Sequence, residues 1–77
     1  MLMYLDGTYF AILNTHFETV PTFLEAMVKN RLVRLGAFPY FFLEENGNIR
    51  ITVRVHENAT HMEIVKKELE QIIEEWS

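Results

Sequence analysis

Histidine and arginine are the side chains here with the most chemistry to offer, and their spacing decides how much of it is usable. His56-Glu57-Asn58-Ala59-Thr60-His61 sets two imidazoles five residues apart. A zinc-protease helix needs them at i and i+4, so that both rings share one face. The observed spacing, across a strand end and a helix start, reads as a polar connection instead. His16, followed by Glu18, adds a ligand only if the fold brings it beside His56. A metal-assisted enzyme assembled across a dimer from His16, His56 and His61 depends on that convergence, and spacing alone assigns no metal site. Glu44-Glu45 and Glu74-Glu75 are adjacent pairs whose side chains diverge, whereas general acid–base work needs carboxylates converging in a cleft. The sequence has no glycine-rich phosphate loop, no Gly-x-Ser-x-Gly elbow and no nucleophile set beside a base. Asn58-Ala59-Thr60 matches a glycosylation acceptor, which means little without a secretory signal. The expectation is a chain without catalytic activity and without a cofactor.

Arg50 and Arg54 offer more. Ile49, Ile51, Val53 and Val55 alternate with Arg50, Thr52, Arg54 and His56, so one face of this strand is buried and the other is cationic and polar. An arginine beside aromatic strands can grip a carboxylate with two parallel hydrogen bonds, or stack on a ring. Arg50, Arg54 and His56 are therefore the candidate ligand-binding residues, for a small anion; the plainer alternative is arginines facing solvent. The same geometry suits an oligonucleotide, but 11 acidic against 7 basic residues, a net charge of −4, argues against nucleic acid. A second basic cluster, Lys29, Arg31 and Arg34, reads as complementing a helix dipole, with an anion patch as the alternative.

The elements that must position these residues are two hairpins and two helices. Val65, Leu69, Ile72, Ile73 and Trp76 form one apolar helical stripe, and Thr60-His-Met-Glu63 reads as its capping box. Glu74 and Glu75 sit at the wrong end of that helix for its dipole, so the last turn frays unless Trp76 docks. A second helix is predicted from Pro21 to Leu35, with Phe23, Leu24, Met27, Val28, Leu32 and Leu35 as its stripe and Gly36 as its stop. Pro39–Glu44 and Ile49–His56 are predicted strands around Asn46-Gly47. Thr8–Thr15 is another, paired with Met1–Leu5 if Asp6-Gly7 closes a hairpin. An offset of forty residues superimposes Gly7 on Gly47 and His16 on His56, a weak sign of duplication. The predicted fold is α+β, a two-layer sandwich of three or four antiparallel strands with two helices on one face, in the order ββαββα or βαββα.

At 77 residues the chain has room for one domain, 1–77, and without cysteine apolar burial alone must hold it. No apolar run reaches the ~20 residues of a membrane span and no leader-like segment opens the sequence, so the expected compartment is cytoplasmic. Apolar residues make up 49%, rich for so small a protein, which argues against disorder. In Tyr40-Phe41-Phe42-Leu43 and Tyr9-Phe10-Ala11-Ile12-Leu13 both alternating sets are apolar. Whichever set faces the helices, large side chains remain on the far side, unless the termini cover them. Burying four of them is worth roughly 6–12 kcal/mol before association entropy. A homodimer through the open sheet face, or by strand edges, is the expectation.

The order of motifs also resembles a known family. Asp6-Gly7-Thr8-Tyr9-Phe10-Ala11, then a helix, then Leu35-Gly36-Ala37-Phe38, then Ile49-Arg50-Ile51-Thr52-Val53 and a Glu/Leu-rich helix over Met62–Trp76 resemble the C-terminal small domain of fold-type I pyridoxal-phosphate aminotransferases. The resemblance implies that Arg50 grips a substrate carboxylate. The Schiff-base lysine and the cofactor-pairing aspartate belong to that family's large domain and have no counterpart here. Pro39–Leu43 departs from the family, with aromatic residues where a variable loop is usual. The leading expectation is a small non-catalytic, self-associating module binding a small anion. A ferredoxin-like regulatory ligand-binding domain, dimeric through its sheet, is the alternative.

Overall fold

A computed structural model describes residues 1–76. The chain forms β1 (Leu2–Leu5), β2 (Thr8–Leu13), α1 (Thr22–Val33), β3 (Pro39–Leu43), β4 (Ile49–Arg54) and α2 (Ala59–Glu75). The four strands make one antiparallel sheet in the order β1-β2-β4-β3, and the α+β sandwich is as expected. β1 does pair, because Asp6 and Gly7 both take positive φ (50° and 81°) and close a two-residue turn whose twist matches the strands. The second hairpin closes differently. Gly47 donates to Glu44 O at 3.0 Å and takes φ +88°, the arrangement of a type I turn with a glycine bulge. Asn46 keeps negative φ, and its Oδ1 accepts from Asn48 N at 3.1 Å.

Two relations follow from the topology. β3 lies beyond β4 from β2, so β2-α1-β3 is a split β-α-β unit around β4, and moving β1 to the chain end would give the βαββαβ order of ferredoxin-like domains. The sheet is thus a circular permutation of that arrangement. Ala11 pairs with Ile51, forty residues on. A local two-fold axis through this pair exchanges the hairpins and brings Gly7 onto Gly47, so the sequence offset coincides with a geometric one.

The core lies between the sheet and the helices. Tyr9, Ala11 and Leu13, Ile49, Ile51 and Val53, and Leu24, Val28, Leu32, Val65, Leu69 and Ile72 are all buried there. Phe23 is a correction to the predicted stripe of α1: it is 63% exposed, because Leu24, Val28 and Leu32 at i, i+4 and i+8 already fill the inward face. The Pro21 carbonyl accepts the first helical bond from Glu25 N. At the other end Ala37 N reaches Leu32 O and Gly36 N reaches Val33 O, with Gly36 at φ +77°. This is a Schellman stop and confirms Gly36 as the terminator.

The capping box at Thr60 is also corrected. Asn58 caps α2, its side chain accepting from His61 N at 3.0 Å, and Thr60 already lies within the first turn. Trp76 does dock, with its ring 5.9 Å from Phe17 and 6.2 Å from Phe23. Arg31 secures the same turn from α1, donating to Glu75 Oε1 at 2.8 Å and Glu68 Oε2 at 2.9 Å. The Glu75 hydrogen bond is the main effect holding its guanidinium above the usual arginine pKa. Arg31 is therefore an interhelical tie rather than part of an anion patch. Lys29 pairs with Glu25 one turn earlier.

Among the described residues Thr15 is the one polar side chain buried in the core, at 4% exposure, and no local pattern in the sequence marks its role. Its hydroxyl donates to Gly47 O at 2.9 Å and accepts from Ile49 N at 3.0 Å, clamping the end of β2 to the start of β4. Thr15→Val keeps the shape and strands both backbone partners. A loss of roughly 1–3 kcal/mol in urea unfolding is expected, whereas Thr15→Ser should retain most of the stability.

Candidate functional site

The far face of the sheet is built by the residues that alternate with the core set. β1 contributes Met3 and Leu5, β2 Thr8, Phe10 and Ile12, β4 Arg50, Thr52 and Arg54, and β3 Tyr40 and Phe42. Register places them in rows: Met3 beside Phe10 beside Thr52 beside Tyr40, and Ile12 beside Arg50 beside Phe42. Neither helix reaches this side, since both pack on the core face. The chain start does not cross it either, because Met1 continues the β1 ladder through bonds to Ile12. Met3 is 48% exposed, Leu5 68%, Tyr40 58% and Phe42 44%.

Arg50 stands in the middle of this face. Its guanidinium carbon lies 4.6 Å from the Phe42 ring centre, a cation–π contact. Its Nε is shielded from water but has no hydrogen-bond partner, the nearest carboxylate oxygen being Glu44 Oε1 at 3.6 Å. The neighbouring Thr52 Oγ1 is likewise buried and unpartnered. Two polar atoms of this kind on adjacent same-face positions call for a partner. Beside Arg50 is an open hollow of about 690 Å³, lined by Met3, Leu5, Phe10, Ile12, Glu44 and Arg50 among others. One cationic fork at the edge of an apolar trough can hold the carboxylate of a partly apolar molecule.

Arg54 is on the same face, exposed, and lines a second hollow with Thr8, Phe38, Tyr40 and Thr52. His56 does not join the arginines: β4 ends at Arg54, so His56 leaves the sheet and sits beside His61, with ring centres 5.3 Å apart. His16 lies at the opposite end of the sheet, against Gly47, where the quasi-two-fold relation puts the counterpart of His56. The three histidines therefore do not converge, and among the described residues no group of three or more His, Asp or Glu could hold a metal ion. No described helix is long and apolar enough to cross a membrane. No family model, curated protein or solved structure matches the chain.

Proposed function

We propose that this chain is a small non-catalytic module that pairs with a second copy of itself through the open sheet face and holds a small carboxylate anion at Arg50. The observation that carries the reading is the far face itself, where Met3, Leu5, Tyr40 and Phe42 stand exposed opposite both helices. With Phe38 they contribute about 100 Å² each, roughly 500 Å² together, taking ~200 Å² for a large side chain. The half-buried Thr8, Phe10, Ile12, Arg50 and Thr52 bring the face toward the ~800 Å² per partner of a stable interface.

Charge favours a second copy over an unlike partner. Five acidic residues lie on α2, in the opposite layer, while the open face carries Glu44 at one end of the β3–β4 hairpin and Arg54 at the other. A two-fold axis lying between the sheets and across the strands sets each Arg54 over the other copy's Glu44. Such an interface is self-complementary, as closed two-fold pairing requires. The aminotransferase resemblance supports the ligand half of the reading, because it assigns Arg50 to a carboxylate.

The experiment is a thermal-shift series with benzoate, run beside sedimentation equilibrium. The unmodified chain is expected to sediment as a dimer and to melt several degrees higher in saturating benzoate. Arg50→Gln is expected to remain dimeric and to lose that shift. An equal shift in Arg50→Gln removes the arginine from the reading, and a monomer removes the pairing.

A further inference from the structure

The β4–α2 connection brings together two residues whose sequence spacing spoke against any joint role. His61 sits in the first turn of α2, where Asn58 fixes its backbone by accepting from its N–H. Its Nε2 lies 2.7 Å from the carbonyl oxygen of Leu35, in the stop of α1. A carbonyl only accepts, so Nε2 carries the proton. In the neutral ring Nδ1 then holds a lone pair, and that nitrogen is buried with no hydrogen-bond partner. The ring of His56 is the adjacent group, its centre 5.3 Å from that of His61 and tilted by 52°.

We propose that His56 and His61 form a two-imidazole site for a late first-row divalent cation, copper(II) or zinc. Three observations converge on it. The backbone carbonyl on Nε2 sets the tautomer and orients the ring, the outer-shell arrangement of metal-bound histidines. The unpartnered Nδ1 is the atom that arrangement leaves for a metal. The separation also fits: two imidazoles bound at ~2.0–2.1 Å to one tetrahedral ion have their ring centres roughly 5 Å apart. Neutral imidazole nitrogen suits copper and zinc and is a poor donor for magnesium or calcium.

The pair opens on a hollow of about 510 Å³ lined by His56, Asn58, Thr60, His61 and Ile64. With two protein ligands, the remaining coordination positions fall to water or to an incoming ligand, and binding is exchangeable. The α2 N-terminus opposes a cation through its partial positive charge, while Glu57, next to His56 in the chain, offsets it. The site is independent of the sheet face and of the pairing proposed there.

Calorimetric titration with copper(II), then zinc, tests it, with electron paramagnetic resonance on the copper form. The expected result is one saturable site per chain, with a copper Kd of roughly 10 µM or tighter and weaker zinc. The copper spectrum should carry hyperfine structure from two imidazole nitrogens. His56→Ala, at an exposed position, should leave the circular dichroism spectrum intact and weaken binding at least tenfold. His61→Ala should do the same to binding, and His16→Ala, at the far end of the sheet, should change nothing. Copper affinity unaltered by His56→Ala, or a spectrum with a single imidazole, overturns the proposal.

Discussion

Met3→Glu is expected to leave a folded chain that no longer pairs. Met3 is 48% exposed on β1, beside Phe10 on the open face, so a glutamate there stays hydrated in a single copy. In a two-fold interface it occurs twice, each carboxylate pressed into an apolar surface, and an unpaired buried charge costs several kcal/mol. A rise in the dimer dissociation constant of at least about 100-fold, some 2.7 kcal/mol, is expected in sedimentation equilibrium. Ile64→Glu is the matched control. It makes the same charge change at a residue 46% exposed on α2, in the opposite layer, and should sediment like the unmodified chain. If both variants lose pairing equally, added charge rather than the sheet face is responsible.

Ile51→Ala is expected to be the most destabilising single change in the core. Ile51 is fully buried on a central strand, between Ala11 on β2 and Phe41 on β3, at the quasi-two-fold position. Its neighbour Ala11 is too small to fill the space left behind, and strands bonded on both sides do not collapse inward. Truncations of this kind cost about 2–5 kcal/mol. Against a total of roughly 5–15 kcal/mol, and toward the low end for so short a chain, that removes much of the stability. Urea unfolding followed by the fluorescence of Trp76, the single tryptophan, reads it directly, at fixed protein concentration because pairing adds to apparent stability. A loss below 1 kcal/mol would mean the layers repack freely.

Periodicity and turn chemistry made the architecture legible. Gly7, Gly36 and Gly47 all occupy positive φ at the turns and the helix stop that their places in the sequence predict, since few other residues tolerate that conformation. The alternation in β4 placed Arg50 and Arg54 opposite the core because a strand has a period of two. Pattern and structure part where two local signals compete. Asn58 and Thr60 are both capping residues, and the chain used the first. Phe23 and Leu24 are both apolar, and only one can face the core. His56 continued the alternation of β4, but the strand ended first. Pairing between distant residues left no local trace: Thr15 with Gly47, Arg31 with Glu68 and Glu75, and His61 with Leu35 are spatial facts that spacing does not encode.

Methyl accessibility to a soluble paramagnetic agent tests most directly whether a second copy covers the open face. In the isolated chain Met3 and Leu5 on that face and Val33 and Ile64 on the helical layer are all between 46% and 68% exposed. At high micromolar concentration the Met3 and Leu5 methyls are expected to relax slowly, shielded by the second copy, while those of Val33 and Ile64 relax fast. Equal relaxation at all four would contradict it.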